Sequence, residues 1–101
     1  MTPEGKVKKA IKKLLEHHDC YYYMPVTNGM GAASVDFVCV LPPHGTALFI
    51  EAKAANGKVT PRQSQVLRLV ESKGAIVFVQ YGEDVTALQD VIVKAVLCKP
   101  E

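Results

Sequence analysis

Ala75 to Tyr81 is a nearly unbroken apolar run. A strand with that composition is expected to be covered on both faces, which calls for helices on both sides of a sheet. The rest of the chain supplies suitable elements. Residues 2–18 read as a helix: Thr2 can cap it, Pro3 suits its first position, and Val7, Ala10, Ile11, Leu14 and Leu15 recur at helical spacing. Residues 21–26 are aromatic and extended in character, with Pro25 disfavouring a central ladder position. After the break at Asn28-Gly29-Met30-Gly31, a second strand is expected from Ser34 to Leu41. The turn-forming cluster Pro42-Pro43-His44-Gly45 leads into a third from Ala47 to Lys53. Thr60-Pro61 opens a second helix that runs to about Lys73 and stops at Gly74. Residues 84–97 form a last amphipathic helix, with Val85, Leu88, Ile92 and Val96 on one side. The order α-β-β-β-α-β-α predicts an α/β fold with a mixed central sheet flanked by helices, and residues 1–101 read as one domain.

Composition narrows the classes further. A chain of 101 residues, 49% hydrophobic and 22% charged, has the balance of a folded protein with one core. No stretch approaches the roughly 18 consecutive apolar residues of a membrane span. Cys20, Cys39 and Cys98 are odd in number and lack CxxC spacing, which points away from a disulfide framework or a cysteine zinc knuckle and toward a reducing, intracellular setting. The net charge is only +2 but unevenly placed: residues 1–16 carry +3 and the remainder −1. Lys6, Lys9 and Lys13 form a row opposite Ile11, which reads either as a solvated face or as a footprint for phosphates.

Chemistry concentrates around the third strand. Alternation puts Glu51 and Lys53 on one face, with Ile50 and Ala52 on the other. Asp36 interrupts the apolar run of the preceding strand, which the short turn makes an antiparallel neighbour, so three charged groups are expected to converge. Charges inside apolar strands are costly unless paired or bound to a metal; a structural ion pair is the plain alternative. At about 100° per residue, Glu4 lies within about 20° of Ile11 and Leu15, so it faces the protein body instead of joining the lysines; answering the helix dipole is its alternative role. Gln63 falls within about 40° of Leu67 and about 20° of Val70 on the inner face of the second helix, though Thr60-x-x-Gln63 also reads as a capping box.

Other residues carry weaker signals. His17-His18-Asp19-Cys20 holds four potential ligands, but adjacent histidines on a helix end point about 100° apart and do not easily share one zinc ion. Tyr21, Tyr22 and Tyr23 are read as core and sheet-face packing in preference to base-stacking platforms. Lys58 and Arg62, flanking the second helix start, are candidate phosphate contacts or solvated loop charges.

Taken together, Asp36 with Glu51-Ala52-Lys53 resembles the D…ExK core of the PD-(D/E)XK nucleases, whose restriction-endonuclease-like core shares the α-β-β-β-α-β order. More narrowly, Glu4, the glycine-containing loop before Val35-Asp36, Phe49-Ile50-Glu51-Ala52-Lys53 and Thr60-Pro61-Arg62-Gln63 resemble the VRR-NUC nucleases. The likeness runs from Thr2 to about Val79 and departs at Val35, where the family usually has proline. It implies a metal-dependent endonuclease acting on DNA in the cytoplasm of a bacterial or phage-infected cell. Glu4, Asp36, Glu51 and the carbonyl of Ala52 would be ligands for Mg²⁺ or Mn²⁺, hard ions suited to oxygen donors. Lys53 would serve the attacking water, and Gln63 would hold Lys53 or a metal-bound water. Stand-alone members resemble homodimeric Holliday junction resolvases, which implies a homodimer acting on a four-way junction; a chain this short leaves little room for a separate sequence-reading domain. The rival expectation is a non-catalytic DNA-binding module that keeps the nuclease fold. For a dimer, Val91 and Ala95 on the last helix are the expected apolar flank.

Overall fold

The computed structural model describes residues 1–26 and 35–98. In chain order the elements are α1 (Pro3–His17), β1 (Tyr21–Tyr23), β2 (Phe37–Leu41), β3 (Thr46–Lys53), α2 (Pro61–Ser72), β4 (Ile76–Tyr81) and α3 (Thr86–Leu97). The strands form one sheet in the order β1-β2-β3-β4. The β1/β2 and β2/β3 pairs are antiparallel, while β4 runs parallel to β3. That parallel pair needs a crossover, which α2 supplies. The expected fold class is therefore the observed one.

Side-chain alternation divides the sheet into two unlike faces. On one, Phe37, Cys39 and Leu41 of β2 and Leu48, Ile50 and Ala52 of β3 are sealed beneath Val7, Ile11, Leu14 and Leu15 of α1 and Leu88, Ile92 and Ala95 of α3. Burial of these side chains, worth about 1.5–3 kcal/mol for each large one, is what holds the sandwich together. On the other face α2 lies against β4 and contributes one buried residue, Leu67. The Glu51 side of β3 faces this thinner layer.

Both long helix ends named by the sequence are present. The Thr2 hydroxyl accepts from the Gly5 N–H at 3.0 Å, and Pro3 opens α1. Helices α1 and α2 close in the same way: Asp19 N–H donates to Glu16 O and Cys20 N–H to Leu15 O, while Gly74 N–H donates to Glu71 O and Ala75 N–H to Val70 O. This pattern needs a left-handed residue after the helix. Gly74 (φ 101°) takes it without steric cost, and Asp19 (φ 57°) takes it as a short polar residue.

Several boundaries and environments differ from the expected ones. Strand β1 ends at Tyr23, short of Pro25, which has no N–H to give to a ladder. Strand β2 begins at Phe37, so Asp36 stands at its entrance and not within it; Ser34 and the 28–31 break lie outside the described residues. Helix α3 begins at Thr86 instead of 84, because Asp84 Oδ1 accepts from the Thr86 N–H and hydroxyl and fixes a turn ahead of the helix. Strand β4, expected to be covered on both faces, is an edge strand whose residues from Ile76 to Val79 are only half-buried. Its Ile76 and Phe78 pack against the core cluster and α2 lies against the strand, so its faces are covered in part, while no further strand pairs with it among the described residues. Tyr21 and Tyr23 are exposed; only Tyr22 turns inward, packing on Phe37 and donating its hydroxyl to Glu16 at 2.7 Å. Finally, Ala95 belongs to the core and Val91 packs against it, so the flank of α3 expected to meet a second copy is already used within the chain.

Candidate active site

The hairpin between β2 and β3 sets the site. Phe37 pairs with Ile50, which brings Asp36, one residue before, to the level of Glu51. Asp36 is fastened there by its own carboxylate: the Ala52 N–H donates to Asp36 Oδ2 at 2.8 Å. Its other oxygen lies 3.5 Å from the Lys8 ammonium.

Glu51 is 3% exposed, an unusual burial for a carboxylate. Oε1 accepts from Gln63 Nε2 at 3.1 Å and lies 4.0 Å from Lys53 Nζ. Oε2 is buried with no hydrogen-bond partner. Burial, then the neighbouring Asp36 carboxyl, push the Glu51 pKa up to about 8, with Lys53 opposing and Glu4 adding a little. A buried carboxyl beside a second carboxylate favours its protonated form even with Lys53 nearby, and a carboxyl perturbed in this way by burial and a specific charge partner marks a candidate functional site.

Gln63 has two tasks at once. Its side-chain oxygen accepts from the Thr60 N–H at 2.9 Å, its own N–H donates to the Thr60 hydroxyl at 3.1 Å, and its amide nitrogen reaches Glu51. The capping box and the inward contact, alternatives in the sequence, coexist because a glutamine amide has an acceptor and a donor end. The partner is Glu51, however, and not Lys53. Helix α2 approaches this closely because the chain folds tightly after β3: Gly57 N–H donates to Ala54 O at 2.8 Å, and a Cβ on Gly57 would lie 3.2 Å from that oxygen and 3.3 Å from Lys53 Cβ.

Asp36, Glu51, Lys53 and Gln63 are thus brought together. Glu4 is not: its side chain is 45% exposed, its partner is Lys8 at 3.5 Å, and among the described residues no group of three His, Cys, Asp or Glu side chains could hold one metal ion. Ala52 is fully buried and contributes its N–H to Asp36. Lys58 and Arg62 are exposed beside the start of α2. Lys6, Lys9 and Lys13 line one groove of about 490 Å³ with Met1, Ala10 and Glu83.

Lys8 is the site residue that sequence reasoning missed. The signal was present, since the step of four from Glu4 leaves Lys8 within about 20° of Leu15 on the same helix flank. Among the five lysines of this helix, that inward direction is easily mistaken for one more solvated charge.

No family model matches the sequence, and no curated protein matches it either. Among solved structures, one described as "VRR_NUC domain" superposes with a TM-score of 0.72 at 26% identity, covering 94% of this chain and 98% of that one. The likeness supports membership of the VRR-NUC family. The chain accordingly has a nuclease fold. No helix among the described residues is long and apolar enough to cross a membrane.

Proposed function

We propose that this VRR-NUC domain is a metal-dependent endodeoxyribonuclease that hydrolyses phosphodiester bonds. The observation that carries this reading is the Asp36–Glu51 pair: two hard oxygen donors, one of them a buried carboxylate oxygen without a hydrogen-bond partner, beside a lysine. Such a donor set fits Mg²⁺ or Mn²⁺. Asp36 and Glu51 would hold the ion, with the Ala52 carbonyl and Glu4 as further oxygen donors. When bound, it would supply a water of lowered pKa and charge stabilisation at the scissile phosphate.

The chain's own residues set the conditions for the reaction. Gln63 fixes the rotamer of Glu51 through Oε1 and leaves Oε2 free. The Ala52 N–H does the same for Asp36 through Oδ2. Lys53, 12% exposed in its side chain, presents an ammonium beside Glu51 that can orient the attacking water and offset the charge that builds on the phosphate. The groove lysines Lys6, Lys9 and Lys13, together with Lys58 and Arg62, serve as backbone contacts that grip DNA without reading its sequence.

The substrate within this reading is a four-way junction, cut by a homodimer. Resolution requires two nicks in strands of like polarity, and each chain carries one D…ExK site, so a symmetric pair matches the two-fold symmetry of the substrate. The test combines light scattering with cleavage of a cruciform plasmid and a linear duplex, in Mg²⁺, in Mn²⁺ and in EDTA. A dimer that introduces paired nicks with metal only is expected. Junction binding without cleavage in either metal would favour the DNA-binding module, and a monomer that nicks linear duplex equally well would remove the resolvase assignment. Replacing Lys6, Lys9 and Lys13 with Gln should lower affinity for all DNAs alike and flatten the salt dependence by about 0.9 for each duplex phosphate no longer neutralised.

A further inference from the structure

Lys8 is the one ammonium in contact with both Asp36 and Glu4, at 3.5 Å from an oxygen of each. The two contacts differ in kind. Glu4 to Lys8 is a helical i, i+4 pair, with the carboxylate on the N-terminal side, the favourable order within a helix. Lys8 to Asp36 joins α1 to the entrance of β2. Asp36 has its second oxygen on the Ala52 N–H, so the oxygen facing Lys8 is the one left to take a cation. With a side chain 30% exposed, Lys8 is neither locked in the core nor free in solvent, and its flexible stem lets the ammonium withdraw.

We propose that Lys8 is a built-in counterion that competes with the divalent metal for Asp36 and Glu4. This rests on the metal-centre reading given above and assigns a positioning role to a residue outside the D…ExK set. With Lys8 in place, its ammonium bridges Asp36 and Glu4 and occupies the space between them that a shared cation would take. Withdrawal of Lys8 frees the bridged oxygen on each side at the same moment, so both become available together to one divalent ion. Lys8 therefore sets how much metal the site requires and keeps the carboxylates from repelling one another in its absence.

The consequence has a sign opposite to that of ordinary damage: removing the charge should tighten metal binding. Calorimetric titration of the full chain with MnCl₂ alone, without DNA, is the direct measurement. Lys8→Gln should bind Mn²⁺ about three- to tenfold more tightly than the wild type, the scale of two partly exposed ion pairs removed together. Lys8→Arg, which keeps the charge, should stay near the wild-type value, and Asp36→Asn should bind weakly whatever stands at position 8. Metal-free Lys8→Gln should also melt lower than the wild type yet gain more from saturating Mn²⁺. Equal or weaker Mn²⁺ binding by Lys8→Gln, with the wild type binding normally, would overturn the role of Lys8 and leave the metal centre standing. Flat titrations for wild type and Lys8→Gln alike would remove both.

Discussion

Glu51 and Gln80 sit on neighbouring strands, one residue out of register, and each is 3% exposed. Among the described residues they are the two buried side chains that are polar or charged. Their surroundings are opposite. Gln80 points to the core side of the sheet, where its amide nitrogen lies 2.9 Å from Gly82 O and 2.8 Å from Asp84 O, with a longer approach of 3.3 Å to Tyr81 O. Its two hydrogens are spent on closing the loop between β4 and α3. Glu51 points to the α2 side, has one oxygen held by Gln63 and the other unpartnered, and keeps a proton well above the ordinary carboxylate range. A polar group buried for structure is satisfied by the chain around it; one buried for chemistry is left incomplete, held on one side and open on the other.

The largest effect should come from breaking the incomplete member of this pair. Glu51→Gln and Asp36→Asn should each reduce metal-dependent cleavage to background while the melting temperature stays at or above that of the wild type, since a neutral amide relieves the buried carboxyl pair. Cleavage and thermal unfolding on the same preparations decide it, and wild-type cutting by Glu51→Gln would end the assignment.

Gln63→Glu sharpens the contrast by separating two roles of one side chain. A glutamate still accepts from the Thr60 N–H and preserves the capping box, but it has no donor for Glu51. Metal affinity should fall about 10- to 100-fold, as for other residues that orient a ligand, while helix content is unchanged by circular dichroism. An unaltered affinity would return Gln63 to a capping role alone.

Gln80→Leu tests the other half of the comparison. It strips the loop carbonyls of their donor, costing about 1–3 kcal/mol, and a domain of this size loses roughly 4–8 °C of melting temperature for each kcal/mol. Cleavage per folded molecule at low temperature should not change. If activity fell with stability preserved, Gln80 would belong to the site after all.

The smallest effect is one of pH on the metal-free chain. Between the ordinary carboxylate range and about 8, folded Glu51 holds a proton that the unfolded chain has released. Its contribution to stability is therefore complete at low pH and declines as pH rises toward about 8. Urea unfolding at pH 5, 6.5 and 8 should show this decline in the wild type, and Glu51→Gln should reduce it.

Much of this arrangement is legible in the residues because the relevant signals are local. Thr2-Pro3, Thr60-Pro61 and Gly74 mark helix ends by their own backbone chemistry, and period-two alternation places Glu51 and Lys53 together. What the residues do not reveal depends on partners distant in the chain. The apolar run of β4 does not disclose an edge strand, because apolar composition reports the covering of faces and not the number of neighbours. Helical geometry alone assigns Ala95 to a free flank, and only the packing of α3 over β2 puts it in the core. Tyr21 and Tyr23 show that aromatic composition favours a strand without fixing which of its faces is covered. Lys8 is hidden by its company: amid Lys6, Lys9, Lys12 and Lys13, a lysine directed inward looks like one more solvated charge.

The double duty of Gln63 also ties the site to the least protected part of a helix. First turns fray more readily than the core opens, and this one is secured chiefly by the Thr60 hydroxyl and the same glutamine that steadies Glu51. On warming, that turn should open and release the Glu51 carboxyl before the sheet gives way. Activity should therefore have a lower ceiling in temperature than the fold, and rapid amide exchange at Gln63 should mark where the two part company.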